Sequence, residues 1–236
     1  MSQIFEKSLE ELGIILSDRQ KEQFEMYYKT LIEWNQVMNL TTIVKREEVY
    51  TKHFLDSLTL CRIVDLTKSA TLIDIGTGAG FPGIPLKIVF PEIEVVLLDS
   101  LNKRIKFLND VIDKLELQGI KAVHGRAEEL AKRPEYRESF DIGTSRAVSR
   151  MCVLSEYCMP YIRAEGIFIS YKAGAIEEEL EEGKNAIKIL GGEIEKIDKF
   201  TLAGTDIERS LIKIRKKQNT PRKYPRKAGM PSKEPL

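Results

Sequence analysis

The stretch Leu72-Ile73-Asp74-Ile75-Gly76-Thr77-Gly78-Ala79-Gly80-Phe81-Pro82-Gly83 constrains the fold more than any other. Thr71, Leu72, Ile73 and Ile75 surround one carboxylate with apolar or β-branched side chains, the pattern of a buried strand. Gly76, Gly78 and Gly80 fall at every second position. They allow a sharp turn and a close approach of backbone to ligand. Pro82 and Pro85 suit the first turn of a helix, where a missing N–H costs little.

Gly78-x-Gly80-x-x-Gly83 spells the dinucleotide fingerprint, but that fingerprint wants its first glycine directly after the strand. Here that glycine is Gly76, and its frame meets Phe81 where the third glycine belongs. Asp74 would also repel a pyrophosphate. A ligand with positive charge and no phosphate fits better, and S-adenosylmethionine has an α-ammonium and a sulfonium. Asp74, Gly76, Gly78, Gly80 and Phe81 are therefore expected cofactor residues. Their Asp-x-Gly-x-Gly-x-Gly spelling resembles the first motif of class I methyltransferases.

From residue 70 strands and helices alternate, which predicts a parallel sheet with crossover helices. Glu94–Asp99 is the second strand. Asp99 closes it, 23 residues after Gly76, where an acid accepts from the ribose hydroxyls of NAD or S-adenosylmethionine alike. Ser100 follows it. A helix is expected from Asn102 to Leu117, with Lys103, Arg104 and Lys106 outward and Ile105, Leu108, Ile112 and Leu115 inward. Ile120–His124 is the third strand. In class I methyltransferases the next loop lies beside adenine, which brings Ala127 and Glu128 to the cofactor. Phe140–Ala147 forms the fourth strand and its loop. Arg146, at the carboxyl end, is the residue expected to position both cofactor and substrate. A helix over Ser149–Arg163, a strand over Gly166–Lys172, an acidic helix over Ile176–Leu190 and an antiparallel pair, Gly192–Leu202 and Arg209–Arg215, complete the pattern.

The expected architecture is α/β: a class I, Rossmann-like methyltransferase fold with a seven-stranded, mostly parallel sheet and helices on both faces. Residues 1–60 form an N-terminal helical segment packed on the core, 61–217 the cofactor-binding domain and 218–236 a basic tail. In the first segment Ser17-Asp18-Arg19-Gln20 is a capping box. Phe24, Tyr28, Leu31, Asn35 and Met38 make one helical stripe. Trp34 is a core residue or a ligand platform. His53 and Asp56 share a helix face, either as a structural pair or as the floor of the cofactor pocket.

No run approaches the roughly 18 apolar residues that a membrane span needs. Residues 1–7 lack a basic stretch followed by an apolar one, so no secretory leader is expected. Cys61, Cys152 and Cys158 cannot all pair and lack Cys-x-x-Cys spacing. They point to a reducing, cytoplasmic compartment and away from bound metal. No extended apolar repeat calls for an obligate oligomer, so a monomer is expected. The net charge of +1 conceals an asymmetry: residues 213–236 carry nine Lys or Arg against Glu234 alone. Such a basic end suits a polyanion.

The reaction is narrowed by what the strand-four loop lacks. It has no Asn/Asp-Pro-Pro-Tyr segment for an exocyclic amine; Cys158-Met159-Pro160-Tyr161 lies too far downstream. It also has no cysteine to attack a pyrimidine carbon. Guanine N7 has a free lone pair and no proton to remove, so alignment alone can carry the transfer without a general base.

The segments Asn39-Leu40-Thr41, His53-Phe54-Leu55-Asp56-Ser57, Asp74 to Gly83, Asp99-Ser100-x-x-Lys103-Arg104, Arg126-Ala127-Glu128 and Ser145-Arg146-Ala147, with the tail Tyr224-Pro225-Arg226-Lys227-Ala228-Gly229-x-Pro231-x-Lys233-x-Pro235-Leu236, together resemble the RsmG (GidB) family along nearly the whole chain. The resemblance implies a bacterial methyltransferase that makes 7-methylguanosine in the helix 18 loop of 16S rRNA, at the position conventionally numbered 527. Its partner is then 16S rRNA or the small ribosomal subunit. It places cofactor contacts on Gly76, Phe81, Ala127, Glu128 and Arg146. His53, Lys172 and Arg209 are expected substrate residues by position, and Arg222, Lys223, Arg226 and Lys227 by charge. Tyr224 either stacks on a base or pins the tail to the protein. A methyltransferase for another RNA or a small molecule, and a non-catalytic RNA-binding assembly factor, are the alternatives.

Overall fold

The computed structural model describes residues 3–146 and 148–236. Met1, Ser2 and Ala147, the last within the Ser145-Arg146-Ala147 match, lie outside the described residues. The strands β1 (Thr71–Ile75), β2 (Glu94–Asp99), β3 (Ile120–His124), β4 (Phe140–Arg146), β5 (Ile162–Ala173), β6 (Gly192–Thr201) and β7 (Glu208–Lys216) form one sheet in the order β3-β2-β1-β4-β5-β7-β6. The first five are parallel, and β7 runs antiparallel to β5 and β6. This is the mostly parallel, seven-stranded sheet expected.

Strand alternation divides the core into two layers. Leu72, Val95, Leu97 and Ile142 face one layer, whereas Ile73, Ile75, Val96 and Leu98 face the other. The first layer contains α1 (Gln3–Glu11), α2 (Asp18–Met38), α3 (Arg46–Val49), a wider π-turn over Tyr50–Leu55 and α4 (Asp56–Leu58). It also contains α5 (Gly83–Val89) and α6 (Asn102–Lys114), on which α2 packs. The second holds α7 (Ala127–Leu130), α8 (Met151–Cys158), α9 (Glu177–Ile189) and the C-terminal segment with α10 (Met230–Lys233).

Ser17 caps α2 as expected: its hydroxyl accepts from the Gln20 N–H at 3.3 Å, and its own N–H donates to Gln20 Oε1 at 2.9 Å. The buried stripe of α2 runs through Phe24, Tyr27 and Leu31, with Tyr28 only half-buried. Tyr27 replaces Tyr28 because its hydroxyl reaches under the glycine loop to the Ala79 carbonyl. Trp34 packs edge-on against Phe107 and donates to Asp110 at 2.7 Å, a structural role. The helix expected through Arg163 stops at Cys158. Pro160 cannot continue an α-helix, so a tight turn over Met159–Tyr161 leads into β5 at Ile162, earlier than expected.

β1 has β2 on one side and β4 on the other. Successive connections leave it in opposite directions, and the crevice beyond the carboxyl ends of such strands is where open α/β sheets bind ligands.

Candidate cofactor and methyl-transfer site

Two cavities lie beyond these carboxyl ends. One, of about 410 Å³, is lined by Thr41, His53, Gly76, Thr77, Gly78, Ala79, Phe81, Asp99, Ser100, Arg104, Arg146 and Val148, among others. The second, of about 250 Å³, is lined by Ile75, Leu98, Gly125, Arg126, Ala127, Glu128, Tyr157, Gly229 and Ser232. Gly76, Asp99, Ser100 and Val148 line both, so the two form one bent cleft. A larger cleft, of about 600 Å³ between α9 and β6, contains none of the expected site residues.

The glycine loop opens to the cleft at Gly78, whereas a Cβ at Gly76 would lie 2.6 Å from Val148 Cγ2. Gly76 and Gly78 have φ of +71° and +61°. At Gly78 a Cβ would meet only the Gly76 carbonyl oxygen, at 4.0 Å, so the space over the loop is open and a side chain would fill it. Gly80, also in the left-handed region, is different. A Cβ there would lie 2.5 Å from Ile84 Cδ1 and 2.7 Å from the Tyr27 hydroxyl. Gly80 lines neither cavity, which corrects its expected cofactor contact: it is a packing glycine.

Asp74 requires the same correction. It is fully buried beneath the loop and lines neither cavity. Its Oδ2 accepts from the Thr77 hydroxyl at 2.6 Å and the Gly83 N–H at 2.9 Å, tying the turn to the start of α5. Oδ1 has no partner, and burial pushes the carboxyl up to about 6. The acid that does face the cleft is Asp99. It accepts from the Gly78 N–H at 3.0 Å, the Leu101 N–H at 2.9 Å and Arg104 at 3.1 Å. Arg104, expected on the outer side of its helix, therefore turns back toward the cleft.

Arg146 closes the far wall. Its guanidinium donates to Asp56 at 3.0 Å and lies 5.0 Å from the Phe81 ring centroid. Asp56 is buried and also takes Arg209 at 2.8 Å, so one carboxylate holds two arginines. His53 stacks on Phe81 with centroids 4.6 Å apart. Its Nδ1 faces Arg146 at 3.4 Å and its Nε2 faces the Thr41 hydroxyl at 2.8 Å. A guanidinium only donates, so Nδ1 accepts and Nε2 carries the proton toward Thr41. Burial, then the Arg146 charge, push the imidazole down to about 3. His53 lines the cleft, and Asp56 anchors the arginine that also lines it.

The remaining expected substrate residues scatter. Lys172 lies away from the cleft, donating to the Ser149 carbonyl and pairing with Glu179, both at 2.5 Å. Arg209 lines a separate cavity with Phe200 and Lys199. Arg222, Lys223 and Lys227 are exposed. Arg226 is not available to a ligand: it forms a two-oxygen ion pair with Glu156, which has no exposed surface. Tyr224 is buried, which leaves its pinning role and removes base stacking. Thr41, Arg104, Val148, Tyr157, Gly229 and Ser232 line the cleft without having been expected there. Thr41, Arg104 and Gly229 carried a signal, from the Asn39-Leu40-Thr41 segment, the nearness of Arg104 to Asp99 and the tail segment that contains Gly229. Among the described residues no cluster of metal-ligating side chains occurs, and no helix is long and apolar enough to cross a membrane.

The family model described as rRNA small subunit methyltransferase G matches residues 20–212. The chain belongs to the rRNA small subunit methyltransferase G family. A relative from Lachnoclostridium phytofermentans named ribosomal RNA small subunit methyltransferase G is 55% identical over 98% of this chain and 96% of its own. Proteins of the same name from Bacillus velezensis and Oceanobacillus iheyensis are 52% and 53% identical, over 98% of this chain and 97% and 98% of theirs. Among solved structures, a predicted O-methyltransferase, Atu636 of Agrobacterium tumefaciens, covers 70% of this chain and 80% of its own with a TM-score of 0.54 at 16% identity. The TYW2 protein of M. jannaschii, in complex with AdoMet, covers 62% and 68% with a TM-score of 0.50 at 12% identity. These two likenesses show the methyltransferase fold alone.

Proposed function

We propose that this chain binds S-adenosylmethionine along the bent cleft and transfers its methyl group to N7 of a guanine in 16S rRNA, in the helix 18 loop. The observation that carries the cofactor reading is the sharing of Gly76, Asp99 and Ser100 by two cavities. An acid at the bend suits a ribose, with a small-residue loop on one side and the Ala127–Glu128 wall on the other. The open space over Gly78 fits a ligand lying on the loop. When bound, the cofactor supplies an electrophilic methyl on a sulfonium. The protein's own residues do the rest. Gly76 to Gly78 seat the amino-acid end, Asp99 orients the ribose, and Glu128 meets the adenine. Phe81, His53 and Arg146 wall the reacting end.

Among the described residues, none lining that end offers a ready base. His53 is held neutral with both nitrogens engaged, and Asp99 is bound by two backbone N–H groups and Arg104. A nucleophile with its own lone pair needs only alignment, which supports guanine N7. A loop base is cheap to unstack into such a cleft. Exposed Arg222, Lys223 and Lys227 supply phosphate contacts.

The test gives labelled S-adenosylmethionine and purified protein to small subunits from a strain lacking the gene, with the product mapped by cleavage at 7-methylguanosine. One new cleavage in the helix 18 loop is expected. Arg146→Ala is expected to lower the rate about 100-fold or more, because misplacing a reacting group by an ångström costs that much. Label elsewhere in the rRNA would overturn the target, and no transfer to any rRNA substrate would overturn the function.

A further inference from the structure

We propose that residues 226–232 are a strap that builds the adenine end of the cofactor cleft, with Arg226 as its positioning residue. The inference rests on the cofactor reading above. The basic end of the chain reads as a nucleic-acid arm in sequence, but the structure ties it down step by step. Lys216 is buried, donating to the Met159 carbonyl at 2.7 Å and pairing with Glu138 at 3.4 Å. Arg137 donates to the carbonyls of Thr220 at 2.7 Å and Tyr224 at 2.9 Å. The Arg226 side chain then grips Glu156 on α8 through both carboxylate oxygens, and its N–H adds a bond of 2.7 Å. The same guanidinium donates to the Glu234 carbonyl at 2.7 Å, so it closes the strap on itself.

Between these anchors the strap meets the cleft. Gly229, in the left-handed region at φ +83°, turns its N–H to Glu128 Oε1 at 2.9 Å. The Ser232 hydroxyl bonds the Tyr157 hydroxyl at 2.7 Å. Gly229, Ser232, Tyr157 and Glu128 all line the smaller cavity. Glu128 is thereby fixed by a bond from the strap while its second oxygen remains for the exocyclic amine of adenine. A preorganised acceptor discriminates sharply against a ligand that cannot donate. Glu156 has no exposure, so its charge requires the Arg226 partner, and the ion pair holds one geometry.

Calorimetric titration of the full chain with S-adenosylhomocysteine and with its 6-oxo (inosine) analogue tests this. The wild type is expected to prefer the 6-amino ligand by tenfold or more. The double variant Glu156→Gln, Arg226→Met removes both charges together, so no buried charge is stranded. It is expected to weaken S-adenosylhomocysteine by about tenfold and to lose most of the preference, the scale of one charge-assisted hydrogen bond. Gly229→Ala, whose Cβ meets nothing within 4 Å but strains the left-handed backbone, is expected to weaken binding in the same direction without touching the ion pair. In both variants KM for the cofactor rises and KM for the rRNA stays. Unchanged cofactor affinity and preference in both variants would overturn the proposal, as would a rise in KM for the rRNA alone. A wild type that binds neither ligand would overturn the cofactor reading itself, and the strap with it.

Discussion

Asp74 and Asp99 lie on adjacent parallel strands, yet their surroundings assign them different work. Asp74 sits below the loop with one oxygen unpartnered, and burial raises its carboxyl to about 6. Asp99, though buried from bulk solvent, lines both cavities and is held by backbone N–H groups. A raised folded-state value means that Asp74 favours the folded protein when protonated. That contribution is present below its unfolded value near 3.8 and is lost as pH rises through 6. Asp74→Asn, which cannot ionise, is therefore expected to gain about 2 kcal/mol in unfolding free energy relative to the wild type between about pH 4 and pH 7. Urea unfolding at both pH values measures it, and a constant difference would mean that Asp74 is not desolvated. Nothing in the residue types separates the two acids. Depth is decided by α5, whose first N–H lands on Asp74, and that packing is invisible in a local motif.

At the scale of elements, the strand–loop–helix unit around Gly76 was legible because each device has one physical use. Apolar runs bury, glycines turn, and prolines start helices. Where the structure departs from these local readings, neighbouring residues decide. Gly80 looked like a ligand contact but meets Tyr27 from α2 and Ile84 from α5. The helix before β5 looked continuous but yields at Pro160. Gly80→Ala is expected to cost about 2–4 kcal/mol, left-handed strain plus overpacking, although the residue touches no cavity. Thermal unfolding and titration with S-adenosylhomocysteine should fall together. Unimpaired stability would show that α2 and α5 give way easily. Between the elements, β1, β2 and β4 were placed correctly, and their carboxyl ends bring Gly76, Asp99 and Arg146 to one cleft. The arginine's anchor on Asp56 joins residues 90 apart in sequence, beyond any spacing rule.

For the whole molecule, charge counting overstates how much of the basic tail is free to meet a polyanion. A lysine in the core counts the same as one in solvent. Lys216 and Arg226 serve buried bonds, and Lys213 and Arg215 pair with Glu195 on β6. Lys217, Arg222, Lys223, Lys227 and Lys233 remain exposed. Replacing Arg222, Lys223 and Lys227 together by Gln is expected to flatten the salt dependence of rRNA binding. The slope of log K against log salt should fall by about 0.7–0.9 for each phosphate no longer neutralised. Lys216→Met is expected to leave that slope unchanged. Equal slopes for the triple variant and the wild type would move the RNA surface elsewhere.

Transfer by alignment, as proposed, removes no proton. The most direct measurement is the single-turnover rate of methyl transfer to 16S rRNA in the small subunit, followed from about pH 6.5 to 9 at saturating cofactor. Burial and then the Arg146 charge hold the His53 imidazole down to about 3, and burial brings the Asp74 carboxyl up to about 6, both below this range. A flat profile and a single 7-methylguanosine are expected. A rate that climbs about tenfold per pH unit across part of the range would reveal an essential base and contradict transfer by alignment.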